Sequence, residues 1–304
     1  MATSIAERRL KETNSPNRSA LRDYLQLAKP RIVILLVFTT VTAMVVAARG
    51  TTIPALSVLA TVVGGALASG GSSAVNQYLD RDMDQQMSRT RTRPIPSGRI
   101  APLNALIFGI ALIASSVVVL GLLVNWLSAL LALTGALYYV IVYTILLKRN
   151  TVLNILIGGG AGAIPVLVGW AAVTGTLEAG SLILFAIVFY WTPPHSWALA
   201  LLVNTDYARA NVPMMPVARG EEAARVQILL YAVQLVALTL LPLPFRILGG
   251  FYLLSAALLG AGMLWESWRL LREKTGAAAR RTYKYSTFYL ALLFLAMIID
   301  VVIF

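Results

Sequence analysis

The stretch NQYLDRDMDQQMSRTRTRP, residues 76–94, sets three aspartates, then three arginines and a proline, at the end of an apolar run. Asn76, Asp80 and Asp84 recur every four residues, so a helix carries them as one stripe. Asp82 falls about 200° around from Asp80 and faces elsewhere. Like charges four apart destabilise a helix unless something neutralises them. A divalent cation held by carboxylate oxygens does so; Mg²⁺ typically takes one or two carboxylates and shares its remaining shell with water and substrate phosphates. Arg89 and Arg93, again four apart, carry guanidinium forks that match phosphate oxygens, and Pro94 and Pro96 stop the helix. A loop whose charges only set membrane topology accounts for the arginines but not the aspartates, which contribute little to topology. The cluster points to a metal-bound, phosphate-bearing ligand whose remainder lies in lipid.

The rest of the chain supplies that lipid context. Of its 304 residues 58% are hydrophobic and only 12% charged, about half the charged share of a soluble domain; mean hydropathy is +0.76. Apolar runs long enough for a hydrocarbon core of about 30 Å recur. There is no cysteine and a single histidine, His195, which excludes disulfides, thiolate metal sites and multi-histidine centres within one chain. A divalent metal is left with oxygen ligands, which favours Mg²⁺. Residues 1–31 are polar and mix arginines with Glu7, Glu12 and Asp23, unlike a signal or transit peptide. They read as a cytoplasmic tail ahead of a transmembrane domain over 32–304.

Hydropathy gives nine spans, at 32–48, 54–78, 103–124, 126–147, 152–174, 181–203, 225–244, 248–270 and 285–304. The expected fold is all-α: a polytopic membrane protein with nine transmembrane helices around a central cavity and a polar cytoplasmic cap. With this division 23 of the 25 Lys and Arg fall on one side, Arg49 and Arg246 being the exceptions. The positive-inside rule makes that side cytoplasmic, puts the C-terminus outside, and explains the net charge of +12 without nucleic acid. Gly158, Gly159, Gly160 and Gly162 in the fifth span read as close helix packing.

Three further features open on the same face or run toward it. Lys148 and Arg149 follow the fourth span and serve either as stop-transfer charges or as diphosphate ligands. The loop NTDYARANVPMMPVARG, from Asn204, carries Asp206, Arg209, Asn211, Pro213 and Pro216; Asp206 there either completes a metal site or is merely solvated, and Arg209 stands with the phosphate-binding candidates. His195 lies in WTPPHSW inside the sixth span, where an ionisable side chain is costly and Pro193 and Pro194 disturb the helix. It is either a hydrogen-bonded core residue or a functional one. If the helix continues, it lies about 16 Å deeper than Asp206, beside the ligand's hydrophobic body.

These residues resemble the UbiA-type intramembrane prenyltransferases. The quoted stretch is similar to that superfamily's first aspartate motif, NxxxDxxxD followed by RTxxRP. Three segments narrow the likeness to its heme-modifying branch: YTILLKRNTVLNILIGGGAGAIPVLVGWAAVTG from Tyr143, WTPPHSWALAL from Trp191 and DYARANVPMMPVARG from Asp206. The resemblance implies farnesyl transfer from farnesyl diphosphate to a vinyl group of heme B, with addition of water, giving heme O for heme-copper oxidases. It implies catalytic roles for Asp80, Asp84, His195 and Asp206. Mg²⁺ is expected on Asn76, Asp80, Asp84 and Asp206, and diphosphate on Asn76, Arg89, Arg93, Lys148, Arg149 and Arg209. The implied setting is a bacterial plasma membrane, with the lipid bilayer and a protein that hands over poorly soluble heme as partners. Aromatic-acceptor members carry a second DxxxD where this chain has only Asp206. A quinone- or chlorophyll-precursor acceptor is the nearest alternative activity. A transporter is the alternative of another class, disfavoured because polar residues gather on one face with no matching set opposite.

Overall fold

The computed structural model describes residues 16–304, with side chains from Ala20 onward; the basic residues Arg8, Arg9 and Lys11 lie outside it. Every regular element among the described residues is helical, as lipid requires of a chain whose backbone groups must be satisfied within each segment. A short helix α1 (Pro16–Ala28) precedes α2 (Pro30–Ala48) and α3 (Ala55–Leu79), and α4 (Arg81–Gln86) follows at once. Then come α5 (Pro102–Leu123), α6 (Trp126–Leu137) running into a ten-residue π-helix (Tyr138–Leu147), α7 (Asn154–Gly158) and α8 (Gly160–Thr174). The chain continues through α9 (Ala179–Leu202), α10 (Asn204–Arg209), α11 (Met215–Arg219), α12 (Glu221–Leu240), α13 (Gly250–Glu273) and α14 (Gly276–Ile303). In space α3 packs on α5, α5 on α6, α6 on α8, α8 on α9, α9 on α12, α12 on α13 and α13 on α14; α2 touches α3, α8 and α14.

Eight stretches, among the described residues, are long and apolar enough to cross a membrane. The exception to the expected nine is α13. It forms as a 24-residue helix with buried Tyr252, Met263 and Leu270, but its glycines, Tyr252, Ser255 and the charged last turns through Glu266, Arg269 and Glu273 leave it less apolar than its neighbours. The last helix starts at Gly276, nine residues ahead of the expected boundary, because Arg280, Arg281 and Lys284 occupy helical turns that hydropathy excludes. The set of apolar helices makes this a multi-pass membrane protein.

Small residues let these helices approach closely. A Cβ on Gly71 would lie 2.6 Å from the Gly109 carbonyl oxygen, and one on Gly109 would lie 2.8 Å from the Gly71 oxygen. The crossing of α3 and α5 is therefore a backbone-to-backbone contact. Three of the four fifth-span glycines do pack: Gly158 against Tyr143, Gly159 against Thr192 and Gly160 against Tyr138. Gly162 does not; nothing lies within 4 Å of its Cβ position, and it faces a cavity. Gly71→Val is expected to cost about 1–3 kcal/mol through overpacking, whereas Gly162→Val should leave stability unchanged; thermal unfolding of the detergent-solubilised variants checks both.

One buried carboxylate, Asp300 in the last helix, has a purely structural explanation. Its oxygens accept the Gly249 N–H at 2.6 Å and the Tyr252 N–H at 2.9 Å. It thus satisfies donors that the start of α13 leaves open.

Candidate active site

The i, i+4 spacing of Asn76, Asp80 and Asp84 survives a break in the helix. α3 ends at Leu79 and Asp80 joins it to α4, yet Asp80 N–H donates to Asn76 O at 2.9 Å and Asp84 N–H to Asp80 O at 2.8 Å. All three side chains are buried, at 2%, 0% and 1% exposure, so the stripe faces inward. Asp82 points outward, as its spacing requires, and forms a two-pronged pair with Arg149 at 2.7 Å for each prong. That pairing holds the Asp82 carboxyl down to about 2. The basic residues do not continue the helix. α4 stops at Gln86, well before Pro94, because Met87 is extended. Arg89 and Arg93 therefore lie in a turn-rich loop and not on a shared helical turn as expected.

Each buried carboxylate has a cation. Arg93 donates to both Asp84 oxygens at 2.9 and 2.7 Å, and Lys148 Nζ donates to Asp80 Oδ2 at 2.5 Å. The Asn76 amide donates to the same Asp80 oxygen at 2.7 Å and to Thr144 Oγ1 at 3.0 Å. Lys29 Nζ reaches Asn76 Oδ1 at 3.4 Å. Lys29 sits at φ 51° between α1 and α2, a left-handed turn that costs a non-glycine residue of order 1 kcal/mol and brings its ammonium beside the site. Burial, with Arg93 and Lys148 close by, brings that ammonium down to about 7.

These groups border a polar chamber of about 180 Å³, lined by Lys29, Arg89, Arg93 and Lys148 with Asn76 and Asp84. Four cationic side chains around a concave site favour a multiply charged anion. A second, mostly apolar cavity of about 600 Å³ extends into the bundle past Ser72, Gly162, Trp191 and His195. Lys29, Ile32, Tyr139 and Tyr143 line both spaces, so the two meet there.

The two tyrosines come from the π-helix. Its i→i−5 repeat is seen in the Lys148 N–H to Tyr143 O bond at 2.8 Å, and the Thr144 hydroxyl separately donates to Tyr139 O at 2.9 Å. Tyr139 and Tyr143 stack at 5.4 Å between centroids. One wide-turned segment thus delivers the junction tyrosines, the Thr144 that holds Asn76, and, at its end, Lys148. Such segments are rare and concentrate at functional sites.

Asp206 lies apart from the carboxylate pair. Ser88 donates to its two oxygens at 2.9 and 2.7 Å, the Arg89 N–H adds a longer bond at 3.4 Å, and Arg209 stands 3.6 Å away. The Ser88 hydroxyl holds the Asp206 carboxyl below the ordinary carboxylate range. Among the described residues no three acidic or histidine side chains gather into a metal-sized group. Asp206 instead ties the α9–α12 loop to the arginine loop. Neither Arg149 nor Arg209 lines the polar chamber. His195 is in α9, which stays helical through both prolines but ends at Leu202. It is about 10 Å inside that end, rather than on one continuous helix with Asp206.

The donor set suits Mg²⁺. Asp80 and Asp84 with the Asn76 carbonyl offer only oxygen, and Asp80 Oδ1 is buried with no hydrogen bond, the Arg149 guanidinium standing 3.6 Å away. Two carboxylates are what Mg²⁺ typically uses when phosphates complete its shell. Lys29, Ser88, Tyr139, Tyr143 and Thr144 were not singled out by sequence reasoning.

The UbiA prenyltransferase family model matches residues 36–297. A protoheme IX farnesyltransferase of Symbiobacterium thermophilum is 52% identical over 283 residues, covering 92% of this chain and 94% of the relative. One from Roseiflexus sp. is 53% identical over 287 residues, covering 94% of this chain and 53% of the relative; the chain spans about half the length of that protein. Among solved structures, a digeranylgeranylglyceryl phosphate synthase superposes with a TM-score of 0.77 at 20% identity, covering 93% of this chain and 98% of the other. A UbiA homolog from Archaeoglobus fulgidus bound to DMAPP and Mg²⁺ gives 0.68 at 17% identity, covering 90% and 99%. These similarities span the helices that build both cavities, and the chain belongs to the UbiA prenyltransferase family.

Proposed function

We propose that this protein transfers the farnesyl group of farnesyl diphosphate to a vinyl group of heme B, with addition of water, yielding heme O and diphosphate. The observation that carries the reading is the junction: a cationic, carboxylate-bearing chamber opens into an apolar cavity through Tyr139 and Tyr143. A prenyl diphosphate has that same division, with its scissile C–O bond at the boundary. The acceptor is inferred from the near-full-length relative named for protoheme farnesylation.

In this reading Asn76, Asp80 and Asp84 hold Mg²⁺, which supplies neutralisation of the charge growing on the diphosphate. Lys29, Arg89, Arg93 and Lys148 grip the diphosphate oxygens and are pre-placed for the electron pair that arrives as the allylic C–O bond breaks. Arg149 fixes Asp82 and stands 3.6 Å from Asp80 Oδ1, and Arg209 stands beside Asp206. Tyr139 and Tyr143 offer ring faces to the allylic cation, since an aromatic quadrupole attracts a cation. The apolar walls keep bulk water from quenching it. The vinyl π pair forms the new C–C bond, leaving a cation on the porphyrin-side carbon. One water adds there and loses its second proton, so the sum is heme B, farnesyl diphosphate and water to heme O and diphosphate. Asp206 and Ser88 hold the loop that presents Arg89. The basic excess on one side orients this chamber to the cytoplasm.

Incubating purified protein with farnesyl diphosphate, Mg²⁺ and either heme B or 4-hydroxybenzoate, followed by mass spectrometry, tests the assignment. A heme adduct heavier by one farnesyl and one hydroxyl group is expected. Prenylation of the benzoate alone would replace the acceptor assignment, and no prenylation of either would remove the activity.

A further inference from the structure

His195 is the only histidine in the chain, and its surroundings specify more than burial. On one side its Nδ1 lies 2.9 Å from Ser286 Oγ of α14. Ser286 Oγ also lies 2.8 Å from the Tyr283 carbonyl oxygen, to which only the hydroxyl can donate. That commits the one proton Ser286 has. The Nδ1–Oγ bond therefore needs its proton from the ring, so Nδ1 carries hydrogen. In a neutral imidazole the other nitrogen, Nε2, is then left with a free lone pair.

The ring's plane is fixed as firmly as its tautomer. Trp191 stacks on it with centroids 4.3 Å apart and 23° between planes; Tyr283 covers it at 4.8 Å and 34°. Trp191 is itself pinned by its indole N–H donating to Ser286 O at 2.7 Å. With two aromatic rings packed against it, the imidazole lines the cavity, and Nε2 has no hydrogen-bond partner among the described residues.

We propose that Ser286 sets the tautomer of His195 so that Nε2 is presented edge-on as an axial ligand to the iron of the metalloporphyrin acceptor. The inference rests on the heme reading of the cavity and adds the point of attachment. An imidazole whose second nitrogen donates to a fixed acceptor is the usual arrangement at iron and zinc. Position separates this role from that of a base for the added water. Bond formation belongs at the junction lined by Tyr139 and Tyr143, and His195 lines only the apolar cavity, not the polar chamber. It stands beside the body of the acceptor. Ser286, fully buried behind the ring, is a positioning residue.

The single histidine makes the test clean. Untagged protein labelled with ¹⁵N-histidine is loaded with heme B, reduced, and examined by resonance Raman spectroscopy. An iron–nitrogen stretch that shifts on labelling is expected, and it can come only from His195. His195→Gly should lose the stretch and regain it with added imidazole. Ser286→Ala should bind heme about 10–100-fold more weakly, while Ser286→Thr, which keeps the hydroxyl, should stay near wild type. Heme bound with no label-sensitive stretch, or no heme bound at all, overturns the proposal. Assaying the same preparation with farnesyl diphosphate and Mg²⁺ keeps the two readings distinct. Product without histidine ligation sinks this inference alone; ligation without product leaves it standing and sinks the prenyl-transfer reading.

Discussion

Asp84→Asn and Asp80→Asn should each lower kcat by about 10²–10³-fold at saturating Mg²⁺, the cost typical of removing one preorganised electrostatic group from a site of developing charge. Both carboxylates are almost fully buried, and asparagine keeps their size and an acceptor oxygen for Arg93 or Lys148. What the substitution removes is a formal charge where a divalent cation needs one. Among the described residues no third acidic or histidine side chain joins this pair, so neither loss should have a substitute. Steady-state turnover with farnesyl diphosphate checks this, and circular dichroism confirms that the helices are retained. Wild-type turnover in either variant would place the cation elsewhere.

Arg93→Ala should have the second-largest effect, and on two observables at once. Asp84 is 1% exposed and is held by two Arg93 bonds. Removing one partner of a buried pair typically costs about 3–5 kcal/mol, because the remaining charge is left uncompensated. Added Mg²⁺ should return much of that stability to the variant. The wild type should gain little from Mg²⁺ alone, since Arg93 and Lys148 already neutralise the carboxylates. It should gain several degrees when a non-cleavable farnesyl diphosphate analogue is added too, because the two cations can then turn from carboxylate to diphosphate. Thermal unfolding across these four conditions separates the outcomes. A wild type stabilised as strongly by Mg²⁺ alone as by both would mean that the cation and the diphosphate do not share this site.

Much of this was legible in the residues because membrane chemistry is strict. A carboxylate stripe at a helix end has few explanations in lipid, so Asn76, Asp80 and Asp84 stood out, and the outward turn of Asp82 followed from its angle alone. Eight apolar helices were equally plain. The partners of Arg149 and Arg209 could not be read because sequence shows charge but not partner: Arg149 pairs with Asp82 and stands 3.6 Å from Asp80, and Arg209 stands beside Asp206. Arg89 and Arg93 were read as helical because nothing in their spacing signals the extended Met87. The π-helix was invisible, since YYVIVYTILL is an ordinary apolar run until its hydrogen bonds shift by one residue. With it went Tyr139 and Tyr143, which look like packing aromatics. Ser286 could not be linked to His195 across 91 residues.

The most direct measurement is the affinity for a non-cleavable farnesyl diphosphate analogue, with Mg²⁺ and with EDTA, in the wild type and in an Asp80→Asn/Asp84→Asn double variant. Binding in the wild type should weaken by at least about tenfold when EDTA removes the metal, while the double variant should bind weakly and equally in both conditions. Equal Mg²⁺ dependence in the two proteins would contradict the account.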